Sequence, residues 1–104
     1  MIIKKVIGEN AYFSFEKKSR IDVKNVNIIK IKVLRSCVNP KVKNIIIDLK
    51  GLSFIDTYAA NVFVVLRKFA TKKKTNFYLK NVSDDFREII RLINIEKDFQ
   101  IIDD

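Results

Sequence analysis

The sequence predicts an α/β domain: a mixed β-sheet in the order β-β-α-β-α-β-α-β, with the helices mainly on one face. Three observations carry this. The run Asn44-Ile45-Ile46-Ile47-Asp48-Leu49 is nearly all apolar, as expected for a central strand covered on both faces. Ala59, Val62, Phe63, Leu66 and Ala70 then mark one face of an amphipathic helix,. Finally, Phe86, Ile89, Ile90 and Ile93 recur at i, i+3, i+4 and i+7 behind Ser83, the signature of a capped helix,.

Taken along the chain, Ile2–Ile7 is a β-rich run ended by the turn-forming Gly8-Glu9-Asn10. Residues 11–16 follow, with Ala11, Phe13 and Phe15 alternating with polar or amphipathic partners; the two runs read as a hairpin,. Residues 20–37 place Val26, Ile29, Val33 and Cys37 at helical spacing, and their length without a turn signal suits a helix better than a strand, before Asn39-Pro40 stops it,. Lys50–Ile55 is the connection from the central strand to a helix from Thr57 to about Ala70. That helix ends in Thr71-Lys72-Lys73-Lys74, where cations suit the negative end of the helix dipole,. Asn76–Val82 is the next strand. Asp84 and Asp85 favour the first turn of the third helix, and Asn94 suits the left-handed residue that closes it,. Phe99–Ile102 is a last short strand. The unit spanning residues 44–82 should be parallel and right-handed.

Composition bounds the function. The chain has 104 residues, fitting a single domain over 1–104, and 48% of them are hydrophobic, enough for a true core,. No apolar run is long enough to insert in a membrane, and the opening Met1-Ile2-Ile3-Lys4-Lys5 turns charged too soon for a signal peptide,. The single Cys37 cannot form an internal disulfide, which points to the cytoplasm,. With no histidine and one cysteine, His-based catalysis and thiolate metal sites are excluded,. The remaining carboxylates, lysines and hydroxyls form no convergent catalytic set, so the expectation is a non-enzyme without cofactor or metal.

The net charge of +9 invites a nucleic-acid reading,. Its distribution argues otherwise: residues 1–83 hold 18 Lys and Arg against 5 acids, while residues 84–104 hold 3 against 7. The basic residues are spread over the chain and not massed in an arm, and Ile, Lys, Asn, Phe and Tyr, the residues of A/T-rich codons, make up 53 of the 104. A solvated, composition-driven surface and one that steers acidic partners both fit. Nucleic acid should therefore bind only weakly, without sequence preference and with a steep loss on adding salt. A titration at two salt concentrations checks this, and a sequence-selective complex at physiological salt would contradict it.

The strand-to-helix step carries the most specific signal. It reads Ile45-Ile46-Ile47-Asp48-Leu49-Lys50-Gly51-Leu52-Ser53-Phe54-Ile55-Asp56-Thr57-Tyr58-Ala59-Ala60-Asn61. It resembles the STAS family (sulfate transporters and anti-sigma-factor antagonists), in which a hydrophobic strand ends in Asp-Leu, a Phe-Ile/Met step follows, and Asp-Ser-Ser-Gly opens a helix. Ser19-Arg20-Ile21-Asp22 stands where the family has Gly-Glu-Leu-Asp, and Asn94-Ile95-Glu96-Lys97-Asp98-Phe99 is similar to its Gly-Leu-Asp-Lys-Leu-Phe. The resemblance spans roughly residues 1–102 and implies a single STAS-like domain.

In the anti-sigma-factor-antagonist branch the first Ser of that signature is phosphorylated by a kinase that is also the anti-sigma factor. Thr57 holds that position and Asp56 the acid before it. The resemblance thus implies a transcription-regulating partner switch in the cytoplasm, controlled by phosphorylation at Thr57. The partner it implies is a serine-kinase-like anti-sigma factor, with a phosphatase as a further one. Asp56 adjoins the acceptor and caps the helix, Asp22 lies near the same end of the sheet, and Tyr58, Asn61 and Arg67 are candidate partner contacts on the exposed side of the helix. Tyr58 departs from the family's second Ser, Ala59 from its Gly and Asn61 from a second Gly, so a bulky phenol stands beside Thr57. The chain also stops after its last strand, where the family commonly adds a helix, which would leave apolar surface or a sheet edge to a partner. Asp and Thr before a helix are ordinary caps too. The alternative is therefore an accessory or docking subunit that binds its partner constitutively, without phosphorylation.

Overall fold

The computed structural model describes residues 2–102. Ile2–Ile7 (β1) and Asn10–Phe15 (β2) form an antiparallel hairpin. Gly8 at its turn takes φ 57°, a left-handed conformation that costs glycine nothing,. After Ser19–Ile21 (β3) comes the helix Val26–Cys37 (α1), then the strand Asn44–Asp48 (β4) and Leu52–Ile55 (β5). Thr57–Lys72 (α2), Asn76–Lys80 (β6) and Asp84–Leu92 (α3) follow. A 3₁₀ turn, Glu96–Asp98, leads into Gln100–Ile102 (β7).

The main sheet has the order β1-β2-β4-β6-β7, so β4 is central, and every pairing after the hairpin is parallel. Each crossover moves one strand over in the same direction. Right-handed connections therefore place α1, α2 and α3 on one face. Ala11, Phe13 and Phe15 of β2, Ile45 and Ile47 of β4, and Phe77 and Leu79 of β6 point into that face. There they meet Ile29 and Val33 of α1, Phe63 and Leu66 of α2, and Phe86 and Ile90 of α3.

Three expectations need correction. β4 is not sandwiched between helices: Ile46, on the open face, is shielded by its cross-strand neighbours Tyr12 and Tyr78, which leave it 7% exposed. Aromatic rings on adjacent strands can cover a residue without a second helical layer. Next, the helix expected over 20–37 begins only at Val26. Asn25 Oδ1 accepts from the Asp22 amide (3.0 Å) and Asp22 Oδ1 from the Lys24 amide (2.9 Å). Such side-chain bonds compete with helix for the same backbone. Finally, residues 52–55 are more than a connection, because β5 pairs in parallel with β3 in a separate two-stranded sheet.

Candidate functional site

The small β3–β5 sheet delivers two chain segments to one end of the molecule. The Asp56 amide donates to the Ile21 carbonyl (3.1 Å), continuing the pairing one residue past β5. Asp56 then caps α2: its Oδ1 accepts from the Ala59 amide at 2.8 Å, while Oδ2 accepts from the Val23 amide at 3.1 Å. One carboxylate thus holds the first turn of α2 against the loop that enters α1. The Asp22 carbonyl accepts from the Val26 amide (3.0 Å), and Asn25 Nδ2 donates to the Arg20 carbonyl (2.8 Å), which stiffens that loop.

Thr57 is the first residue of α2 and is exposed. A helix leaves its first amides without internal acceptors, and its dipole makes that end positive. Asp56 satisfies one of these donors, so the first turn still offers hydrogen-bond donors to an anion. Tyr58 is 51% exposed beside it. Asn61 is exposed, but its Nδ2 donates to the Thr57 carbonyl (3.0 Å), so its amide is held over the first turn.

Asp22, Asp56, Thr57, Tyr58 and Asn61 therefore gather at one end. Arg67 does not. It lies ten residues further along α2, about 15 Å down the helix axis. Its side chain is only 28% exposed and contacts Asp98 Oδ1 at 3.4 Å. The expectation that it lies on the exposed side of α2 fails because the residue's angular position on the helix turns it towards the 3₁₀ turn. Three residues at the Thr57 end escape a sequence reading. Val23 is 53% exposed next to the Asp56 carboxylate. Phe54 on β5 is 39% exposed, with the Arg20 guanidinium 4.2 Å above its ring. An apolar residue in a polar loop was the available signal for Val23. Nothing local pairs Arg20 with Phe54.

Among the described residues no three acidic or cysteine side chains converge as a metal cage. Burial pushes the Cys37 thiol pKa up, which suppresses its thiolate form,. No described helix is long and apolar enough to cross a membrane.

Asp56→Ala should cost about 1–2 kcal/mol, because it removes a cap and leaves the Val23 amide to water. Urea denaturation measures this. Asp56→Asn, which retains an acceptor, should recover most of the loss, and an unchanged midpoint for Asp56→Ala would contradict the bridging role.

The STAS domain model matches residues 3–104 of the chain. The fold is similar to the anti-sigma factor antagonist SpoIIAA in its unphosphorylated form: TM-score 0.82 and 17% identity over 100% of this chain and 88% of that one. The phosphorylated form of SpoIIAA, a Bacillus cell-fate determinant, gives a TM-score of 0.77 at 17% identity, over 100% and 91%. RsbS from Moorella thermoacetica, in a serine-to-glutamate variant, gives 0.81 at 12% identity, over 99% and 86%.

Proposed function

The chain belongs to the STAS domain family, and from that premise we propose that it is an anti-sigma-factor-antagonist-like, non-enzymatic regulator in the cytoplasm. Its partner, a serine-kinase-like anti-sigma factor, docks on the Thr57 turn and is released when Thr57 is phosphorylated; a phosphatase restores the binding form. The observation that carries this reading is an exposed hydroxyl on the first turn of a helix whose cap, Asp56, is itself tied to a second loop.

Such a turn can take a phosphate without unfolding. The phosphate adds about −1.5 to −2 charges at neutral pH. Free amides and the positive end of α2 offset part of that charge within the domain. A partner seated over Thr57 has to desolvate the rest, which is costly unless it supplies a cation. SpoIIAA, similar in fold here, exists in both unphosphorylated and phosphorylated forms, in keeping with a fold that tolerates the modification.

Capture of the native partner with wild type, Thr57→Ala and Thr57→Glu tests the reading, alongside circular dichroism and mass spectrometry of the native protein. Thr57→Glu should stay folded and bind about tenfold or more weakly, about 1.4 kcal/mol at the lower end, while Thr57→Ala binds as wild type. If Thr57→Glu binds as tightly as wild type and native protein carries no phosphate at Thr57, the switch fails. A constitutive docking subunit then takes its place. The exposed Tyr58 favours that second reading, since its ring offers lasting apolar contact beside the hydroxyl.

A further inference from the structure

At the end of the molecule away from Thr57, a cleft of about 650 Å³ opens between the C-terminal half of α2, the start of β6 and the 3₁₀ turn that leads into β7. Three cations line it, one from each of three segments: Arg67 on α2, Lys74 in the α2–β6 turn and Lys97 in the 3₁₀ turn. The one acid in the lining, Asp98, is engaged by Arg67 at 3.4 Å. Lys74 and Lys97 have no acidic partner among the described residues. Arg67 also keeps a buried Nε without a hydrogen-bond acceptor.

Helix-end electrostatics explain part of this. Lys72, Lys73 and Lys74 suit the negative end of α2. They do not explain Lys97, which belongs to another element and comes to the same cleft through tertiary packing. Lys74 takes φ 59° as the left-handed residue that closes α2, with the Thr75 amide donating to the Ala70 carbonyl (2.8 Å) and the Lys74 amide to the Thr71 carbonyl (3.0 Å),. The cleft is also too large for a bare ion: its volume lies within the roughly 300–1,000 Å³ of small-ligand pockets. Phe77 and Phe99 also lie along it.

We propose that this cleft binds a free small polyanion, a phosphorylated or polycarboxylate metabolite, through Arg67, Lys74 and Lys97. The site is separate from the Thr57 surface and does not depend on how that surface is used.

The test follows backbone amide resonances of the whole chain by NMR while inorganic pyrophosphate, and separately citrate, is added at 0.15 M salt. At that ionic strength charges more than about 8 Å apart are largely screened, so diffuse attraction to the basic surface is suppressed. Saturating shifts confined to Lys74, Phe77, Lys97 and Phe99 are expected with at least one probe, and which probe saturates assigns phosphoryl or carboxylate chemistry. Lys74→Ala combined with Lys97→Ala should weaken that binding at least about tenfold. Lys17→Ala combined with Lys18→Ala, which removes the same charge from exposed positions in the β2–β3 turn, should leave it unchanged. All four lysines are exposed, so both double variants should fold, which circular dichroism checks. Shifts spread over the surface lysines, equal loss in both double variants, or no shift with either probe would overturn the proposal.

Discussion

Gly51→Ala is expected to destabilise the domain by about 3 kcal/mol, the upper end of what overpacking usually costs. The residue has no left-handed φ to protect, so the effect is purely one of space. Gly51 lies in the loop between β4 and β5, pressed against the end of β2. An added Cβ would run into the Phe15 carbonyl oxygen and come within 2.9 Å of the Glu16 carbonyl oxygen. Both obstacles are backbone atoms, which cannot rotate aside as a side chain does. The Gly51 carbonyl also accepts from the Ser19 amide (3.2 Å), so moving the loop strains the entry to β3. Since β5 pairs with β3 and leads directly into Asp56 and Thr57, partner binding should fall together with stability. Urea denaturation measures the first effect and partner capture the second. An alanine variant with wild-type stability would show that β2 and the loop separate freely.

Phe63→Ala should cost more, about 3–5 kcal/mol. Phe63 is fully buried on the face of α2 that meets the sheet, among Ala59, Ala60 and Leu66 on its own helix. The neighbours on α2 are small or already packed, so the space left by the ring cannot be refilled from the same helix. Domains of this size are stable by only about 5–15 kcal/mol. The variant should therefore lose a large share of its stability and melt well over 10 °C lower, at about 4–8 °C per kcal/mol. Thermal denaturation followed by circular dichroism checks this. Phe63→Leu should recover much of the loss, because it refills most of the volume. The contrast with Thr57→Glu is informative: the core variant loses fold and binding together, whereas the surface variant should lose binding alone.

Much of the architecture was legible because it is written in short-range patterns. The alternation of Ala11, Phe13 and Phe15, the apolar run of β4 and the helical spacing of Phe86 and Ile90 are each decided within a few residues. Burial follows them. The Ser83 cap, whose oxygen accepts from the Phe86 amide (3.1 Å), and the left-handed Asn94 (φ 61°) are equally local. The stretch over 20–25 was misread for a physical reason: its apolar spacing fits a helix, yet Asp22 and Asn25 offer the backbone a competing set of bonds. On β4, pattern alone could not tell a helix-covered Ile46 from one covered by tyrosines.

The sequence by itself determined most of the strands and helices (though not β3 and β5), where the Asp56–Thr57 step stands on a helix start, and that histidine chemistry is not available. Tertiary structure alone decided what meets what. The Asp56 bond to the Val23 amide joins residues 33 apart, and the Arg67 contact with Asp98 joins residues 31 apart. β3 and β5, likewise distant in the chain, pair only because the β4 loop returns beside β2. A period of 2 or 3.6 residues records which side of an element faces the core. It holds no information on which distant residue faces back, because that depends on strand order, crossover hand and loop path. For this reason the Thr57 turn is legible from its local residues, while the contact of Arg67 with Asp98 and the cleft they line emerge only with the fold.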